Sequence, residues 1–300
     1  MIQTFAFPEI PSLLIHVLRL DANHALISGN KYYKLKPWLE KALSLNAGLM
    51  SCGGAYSNHL HALAAAGQQQ GIATYGLVRA MQENNLTTTL QDCQPMGMQL
   101  FPVSRADYRK RYEAGFADKY LRRIEQTALW VPEGGTDESA VAACEEIGLA
   151  LNHYLQHYHF DSVWLAVGSG GTLAGIARSL HPEVPLYAVP VLKHWKDVRQ
   201  RVNSYLGAQQ AGRINWVERG DFGGFGRYNR QHVEFIARLE QLSGIPFEPV
   251  YTAKLVRRLH ELYQSRACSG NRPLVVHTGG LQGRRSIAAQ LDQVICAKAD

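Results

Sequence analysis

Four glycine-rich turns, each preceded by a short apolar run, constrain this chain more than any other feature. They are Gly53-Gly54-Ala55-Tyr56-Ser57-Asn58-His59, Pro132-Glu133-Gly134-Gly135-Thr136, Gly168-Ser169-Gly170-Gly171-Thr172 and His277-Thr278-Gly279-Gly280. The runs before them (48–52, 129–132, 162–167 and 274–277) have strand character. Further strands are expected at 13–20, 25–27, 73–78, 98–102 and 186–190. Between them helical spacing predicts helices at 58–67, 85–93, 104–128, 139–158, 173–180, 196–211, 231–243 and 252–265, with a glycine-rich loop at 221–228. Strand and helix alternate, which is the pattern of an α/β fold with parallel sheets covered by helices. Ligands in such sheets bind beyond the carboxyl ends of the strands, where these turns converge.

The stretch Ser28-Gly29-Asn30-Lys31-Tyr32-Tyr33-Lys34-Leu35-Lys36 opens on turn residues and runs into a helix marked by Leu35, Trp38, Leu39, Ala42 and Leu45. Lys31 therefore belongs at a helix N-terminus. The partial positive charge there and burial both disfavour an ammonium, and a neutral amine is what a carbonyl-binding lysine needs. A solvated basic edge made of Lys31, Lys34 and Lys36 is the plainer reading of the same residues. The neighbouring glycine turns weigh against it.

Composition narrows the classes. A chain of 300 residues with 46% hydrophobic and 19% charged content can bury one large core or two ordinary ones. Much of the net charge of +6 is local to 105–123, which reads as a solvated helix face rather than a nucleic-acid module. The five cysteines are widely spaced without a CxxC pair, so neither a disulfide framework nor a zinc site is expected. No signal peptide is read at the N-terminus, and no apolar run approaches the length of about 20 residues that spans a bilayer. A cytoplasmic protein without membrane or nucleic-acid partners, and without a metal, is the expectation.

Gly168 to Thr172 has a mechanical reading as an anion cradle: glycines admit close backbone approach, and a helix N-terminus favours negative charge. Ser169 and Thr172 add hydroxyls. The turn lacks the Lys-Ser/Thr of a nucleotide P-loop and the acidic residue of a dinucleotide fingerprint. Tight strand–helix packing accounts for it equally well. A phosphate cradle, a lysine at a helix start and a Ser-Asn turn together suit pyridoxal phosphate, which needs an anchor for its phosphate, an amine for its aldehyde and partners for its ring oxygen and nitrogen.

With SGNKYYKLK, GGAYSNHLHALAAAG, GSGGTLAG, VYT and HTGG in this order, the chain resembles the D-cysteine desulfhydrase and 1-aminocyclopropane-1-carboxylate (ACC) deaminase family. These are fold-type-II, tryptophan synthase β-like pyridoxal enzymes. The resemblance implies two open twisted α/β domains with the cofactor in the cleft between them: a large domain of 1–43 and 143–300, and a small one of 44–142. It implies a homodimer and a small amino-acid substrate. By the same resemblance Lys31 matches the Schiff-base lysine, while Lys34 and Lys36 match helix lysines that do not bind the aldehyde. Asn58 matches the partner of the ring oxygen and Ser57 its neighbour beside the substrate carboxylate. Gly168, Ser169, Gly170, Gly171 and Thr172 match the phosphate loop, and Thr278 the partner of the ring nitrogen. Tyr251 matches an active-site tyrosine facing substrate, although its position alone reads as a core aromatic. His59 and Thr252 fall at family positions near substrate; His61 reads as a satisfied helix residue.

Two departures bear on the reaction. The deaminases carry Glu after the VY tyrosine and Leu in place of the Thr of HTGG, whereas this chain has Thr252 and Thr278. Family members place a second tyrosine near 221–226, where Phe225 stands here. The expected activity is elimination from a small amino acid, with D-cysteine giving pyruvate, sulfide and ammonia. ACC deamination to 2-oxobutanoate is the main rival, followed by a dehydratase or racemase. The non-enzyme rival is a basic-surface binding protein using Arg105 to Arg123.

Overall fold

The computed structural model describes residues 1–193, 195–224 and 226–296, and the backbone alone at Trp195. Phe225 lies outside the described residues. Along the chain run β1 (Ile2–Ala6), β2 (Leu14–Arg19), α1 (Asn30–Ser44), β3 (Gly48–Gly53), α2 (Asn58–Gln70), β4 (Thr74–Arg79), α3 (Thr88–Cys93) and β5 (Met98–Val103). Next come α4 (Arg105–Arg109), α5 (Asp118–Leu121), β6 (Ala128–Val131), α6 (Glu138–Ala143), α7 (Glu145–Tyr158), β7 (Ser162–Val167), α8 (Gly171–Ser179) and β8 (Leu186–Pro190). The remainder is α9 (Trp195–Ser204), α10 (Ala208–Gly212), β9 (Ile214–Trp216), α11 (Arg230–Ser243), α12 (Thr252–Gln264), β10 (Pro273–His277) and α13 (Ala288–Cys296). Among the described residues no helix is long and apolar enough to cross a membrane.

Contacts divide the chain into a small unit, His24–Ala143, and a large unit of Met1–Asn23 with Cys144–Asp300. Helix α1 falls in the small unit, whereas the resemblance places residues up to 43 in the large one. The reason is packing: Leu35, Trp38 and Ala42 of α1 join Leu60, Leu63 and Ala64 of α2 in one buried cluster.

The small unit is a parallel sheet in the order β5-β4-β3-β6. Strand β3 is buried at every residue, as a strand covered on both faces must be. One face carries the α1–α2 cluster; the other carries Met50, Cys52, Tyr75 and Leu77 against Tyr108, Phe116 and Tyr120. The chain winds outward from β3 through β4 to β5, then returns to place β6 on the other side of β3. The reversal opens a crevice at the carboxyl ends of β3 and β6, where two of the four glycine turns lie.

The large unit repeats that logic in the order β1-β2-β10-β7-β8-β9. All neighbours are parallel except β1 with β2. Winding proceeds from β7 through β8 to β9, and β10 returns to the opposite side of β7. The other two glycine turns follow β7 and β10, so they too stand side by side at a point of reversal. Beneath them Trp164 is fully buried, stacked on Tyr187 with ring centroids 4.2 Å apart and donating from Nε1 to Ser162 Oγ at 3.0 Å.

Several expected elements differ. Residues 25–27 form bends, not a strand, because the N–H groups of Leu26 and Ile27 donate to His24 Nδ1 at 3.2 and 3.0 Å instead of entering a ladder. The long helix expected at 104–128 is only α4 and α5 with turns between and after them. Gly115 adopts φ 78° there, and the segment folds back so that Arg111 lies over the Tyr108 and Tyr112 rings and Arg123 over Tyr120. The helix expected at 139–158 is interrupted at Cys144. That expected at 196–211 breaks at Gly207, whose N–H donates to Gln210 Oε1 at 3.1 Å.

Truncating the indole of Trp164 deletes the stacking, the hydrogen bond and a large buried volume. Trp164→Ala is expected to lower stability by about 3–5 kcal/mol in equilibrium denaturation. A loss below about 1 kcal/mol would contradict the placement of this ring at the centre of the large sheet.

Candidate active site

In the small unit the site is built at the starts of α1 and α2. Helix α1 begins after Gly29, which offers no side chain to cap its first N–H groups. Lys31, the second helical residue, is half-buried and its Nζ donates to Asn30 Oδ1 at 3.0 Å. One turn on, Lys34 is fully buried and donates to Thr136 Oγ1, tying α1 to the turn after β6. Lys36 is exposed. Helix α2 is capped by Ser57, whose Oγ accepts from Leu60 N–H at 3.2 Å. Asn58 is half-buried, and its Oδ1 is enclosed without a hydrogen-bond partner among the described residues.

His59 shows how the lysines and the glycine turns are brought together. Ser51 Oγ donates to Val131 O at 2.8 Å, which uses its one hydrogen, so it accepts from His59 Nε2 at 2.8 Å. Nδ1 is thereby left as a bare lone pair, close to the position a Cβ on Gly135 would occupy (3.6 Å). Burial lowers the imidazole pKa well below its usual value, and the positive charges of Lys31 and Lys34 lower it further. His59 is therefore a neutral acceptor. His61 is also buried, and its Nε2 lies 3.3 Å from Asp92, in line with a structural role.

In the large unit β7 ends at Val167, and the backbone turns through Gly168 and Ser169 to Gly170, the N-cap of α8. Gly170 has φ 94°, and a Cβ there would lie 2.5 Å from Val202 Cγ2. Only glycine suits that position. No acidic side chain sits in the first turn of α8, so that turn itself does not oppose an anion at its N-terminus. Thr172 is buried and Ser169 half-buried.

Beside this turn β10 delivers Thr278, which is 8% exposed. His277 locks the bend: its Nδ1 accepts from Gly279 N–H at 3.2 Å, so the proton resides on Nε2 and donates to Pro246 O at 3.0 Å. Burial lowers the pKa of His277, with Asp21 pulling the other way. Tyr251 lies directly over Gly168, with its Cε1 2.9 Å from where a Cβ would stand. A side chain at Gly168 would displace the ring. Thr252 is wholly enclosed at 0% exposure, so its hydroxyl is closed to a small molecule in this conformation.

Two buried groups near Tyr251 carry no mark in the sequence pattern. Glu248 is fully buried and accepts from the N–H groups of Val250, Tyr251 and Thr252. Lys254, fully buried as well, donates from Nζ to Asp221 O and Gly224 O, both at 2.7 Å. The one partial clue concerns Glu248 alone, since an acid shortly before a helical pattern marks a helix start. Cys52, by contrast, is no nucleophile: burial, reinforced by Glu133, pushes its thiol up to about 12.

Each unit taken by itself carries groups of the kind pyridoxal phosphate needs. There is a half-buried amine at Lys31, an enclosed amide at Asn58, a glycine-started helix without a side-chain cap at 168–172 and a buried hydroxyl at Thr278. Comparison with known proteins agrees. The family model described as pyridoxal-phosphate dependent enzyme matches residues 17–279. A putative 1-aminocyclopropane-1-carboxylate deaminase of Thermotoga maritima is 30% identical over 90% of this chain and 89% of its own. A bifunctional D-cysteine desulfhydrase/1-aminocyclopropane-1-carboxylate deaminase of Arabidopsis thaliana is 24% identical over 94% of this chain and 76% of its own. The crystal structure of an ACC deaminase homologue superimposes with a TM-score of 0.81 at 23% identity, over 98% of this chain and 93% of that one. That likeness bears on the fold, which is the fold-type-II architecture the resemblance implied. On the family match and on near end-to-end similarity to named relatives, the chain belongs to the pyridoxal-phosphate dependent enzymes, with pyridoxal phosphate as its cofactor.

Proposed function

We propose that this enzyme removes the β-substituent and amino group from a small amino acid, with D-cysteine and one water consumed and pyruvate, hydrogen sulfide and ammonia as products. One observation favours D-cysteine over ACC. The carboxylate nearest Tyr251 in sequence, Glu248, is fully buried and engaged by three backbone N–H groups, and the residue after Tyr251 is Thr252. Opening the cyclopropane ring demands proton handling that an acid after the tyrosine would supply. This chain has none to offer there.

Lys31 Nζ is assigned to the cofactor aldehyde and, once released by substrate, to accepting the α-proton. Asn58 takes the ring oxygen, Gly168 to Thr172 the phosphate, and Thr278 Oγ1 the ring nitrogen. A hydroxyl can partner that nitrogen whether or not it carries a proton. When bound, pyridoxal phosphate supplies the electron sink that lets the α-proton and the β-substituent leave. Ser57 accepts from Leu60 N–H, so its own hydrogen is the one it can donate to the substrate carboxylate, which the N-terminus of α2 also favours. His59, held neutral, adds no positive charge beside the lysine. Tyr251 faces the substrate side chain. A dimeric state belongs to the same reading and rests on the family resemblance, and a cytoplasmic location rests on the sequence expectation above.

The substrate is tested by measuring sulfide and pyruvate release from D-cysteine beside 2-oxobutanoate release from ACC, with equal enzyme. Faster turnover of D-cysteine is expected; faster turnover of ACC overturns the choice. The phosphate assignment is tested at Thr172 rather than at Gly170, where any side chain strains the backbone and meets Val202. Thr172→Val removes one hydroxyl at nearly constant shape. It is expected to weaken pyridoxal phosphate binding by about 1.5–3 kcal/mol, read by titrating the apoenzyme. Unchanged affinity would remove Thr172 from the cradle.

A further inference from the structure

The glycine-rich loop at 220–228 has an unusual anchor. Phe222, Gly223, Gly224 and Gly226 all have positive φ, and the Gly224 N–H donates to Asp221 O at 2.9 Å, closing a tight turn. Gly220 sits at the carboxyl end of β8, the strand paired with β7. A Cβ on Gly220 would stand 2.3 Å from Val189 Cγ1 and 3.0 Å from Pro190 O. Two carbonyls of this loop, those of Asp221 and Gly224, accept from the one buried amine of Lys254. Arg257, one turn further along α12, covers the Phe222 ring at 4.5 Å, and that ring stacks on His232.

Lys254 is the third residue of α12, and Tyr251 is the cap of the same helix. Glu248 holds that start from below through the N–H groups of Val250, Tyr251 and Thr252. Burial pushes the Glu248 carboxyl up to about 7 and the Lys254 amine down to about 8, and the charges of Lys254 and Asp221 oppose these shifts. A neutral Lys254 would still carry two hydrogens for two carbonyls, so the strap does not depend on its charge.

We propose that Glu248 and Lys254 are positioning residues that join Tyr251 and residues 220–224 into one wall of the substrate pocket. Glu248 fixes the backbone that aims Tyr251 over Gly168. Lys254 pins the loop to the same helical turn, so tyrosine and loop keep a set spacing for the substrate side chain. The pocket-facing role of Tyr251 rests on the function proposed above; the strap itself rests on geometry.

The test uses the holoenzyme and reads loop and chemistry separately. Lys254→Met removes the donor at similar length, Glu248→Ala removes the acceptor, and the double variant K254M/E248Q leaves no unpaired buried charge. Hydrogen–deuterium exchange without substrate is expected to quicken by about tenfold or more at 220–224 in K254M and in the double variant, with strands 163–167 and 274–277 as protected as in the parent. With D-cysteine, each variant is expected to raise KM about tenfold with a smaller change in kcat and with cofactor absorbance retained. Parent-like exchange at 220–224 overturns the strap, and so does exchange that rises equally in the strands. A KM equal to the parent's overturns the positioning role. Should K254M fail to fold, the double variant decides both points. If the parent turns over neither D-cysteine nor ACC, the substrate reading falls by itself, and the exchange measurement still decides the strap.

Discussion

Each sheet of this protein reverses its winding once, beside β3 in the small unit and beside β7 in the large one, and the chemistry depends on that constraint. In an open parallel sheet the connections on either side of such a reversal leave in opposite directions, so nothing covers the carboxyl ends of the two strands between them. In the small unit those strands are β3 and β6; in the large unit they are β7 and β10. All four are followed by glycine-rich turns. The four turns far apart in sequence thus become two adjacent pairs.

The helices differ in how they are capped. Helices α2, α4 and α11 begin with Ser57, Ser104 and Asn229, whose side chains accept an N–H of the first turn, and α12 is held by Glu248. Helices α1 and α8 begin after Gly29 and Gly170 with no side-chain cap. A glycine start suits a ligand, because it admits close approach and leaves the helix end to be neutralised from outside. The single-turn α10 also starts after a glycine, but Gln210 Oε1 there accepts the Gly207 N–H. The two longer helices that start this way are the ones carrying Lys31 and Thr172.

The alternation of strands and helices is legible in the sequence because buried parallel strands read as short apolar runs and helices as periodic ones. The turns are legible because glycine marks them. Helix breaks are less so: in 104–128 Gly115 is the one local sign, and Glu133, which accepts from Tyr108, Arg111 and Tyr112, holds the segment folded back. The unit boundary differs at α1, since the apolar face of that helix fits either unit by pattern alone. Glu248 and Lys254 escape notice because a buried charge has no periodic signature; its partners are backbone groups, which every residue has. Thr252 is expected near substrate from its match to a family position, whereas in this structure the threonine is enclosed.

Lys31 is assigned to the cofactor although Lys34 lies one turn away and is the more deeply buried of the two. Lys34 is committed to Thr136, whereas Lys31 stands at the half-buried start of the helix beside neutral His59. The most direct measurement is borohydride reduction of the holoenzyme followed by peptide mapping with mass spectrometry. A reduced pyridoxyl group on Lys31 is the expected result. Finding it on Lys34 or Lys36, with Lys31 unmodified, would contradict the assignment.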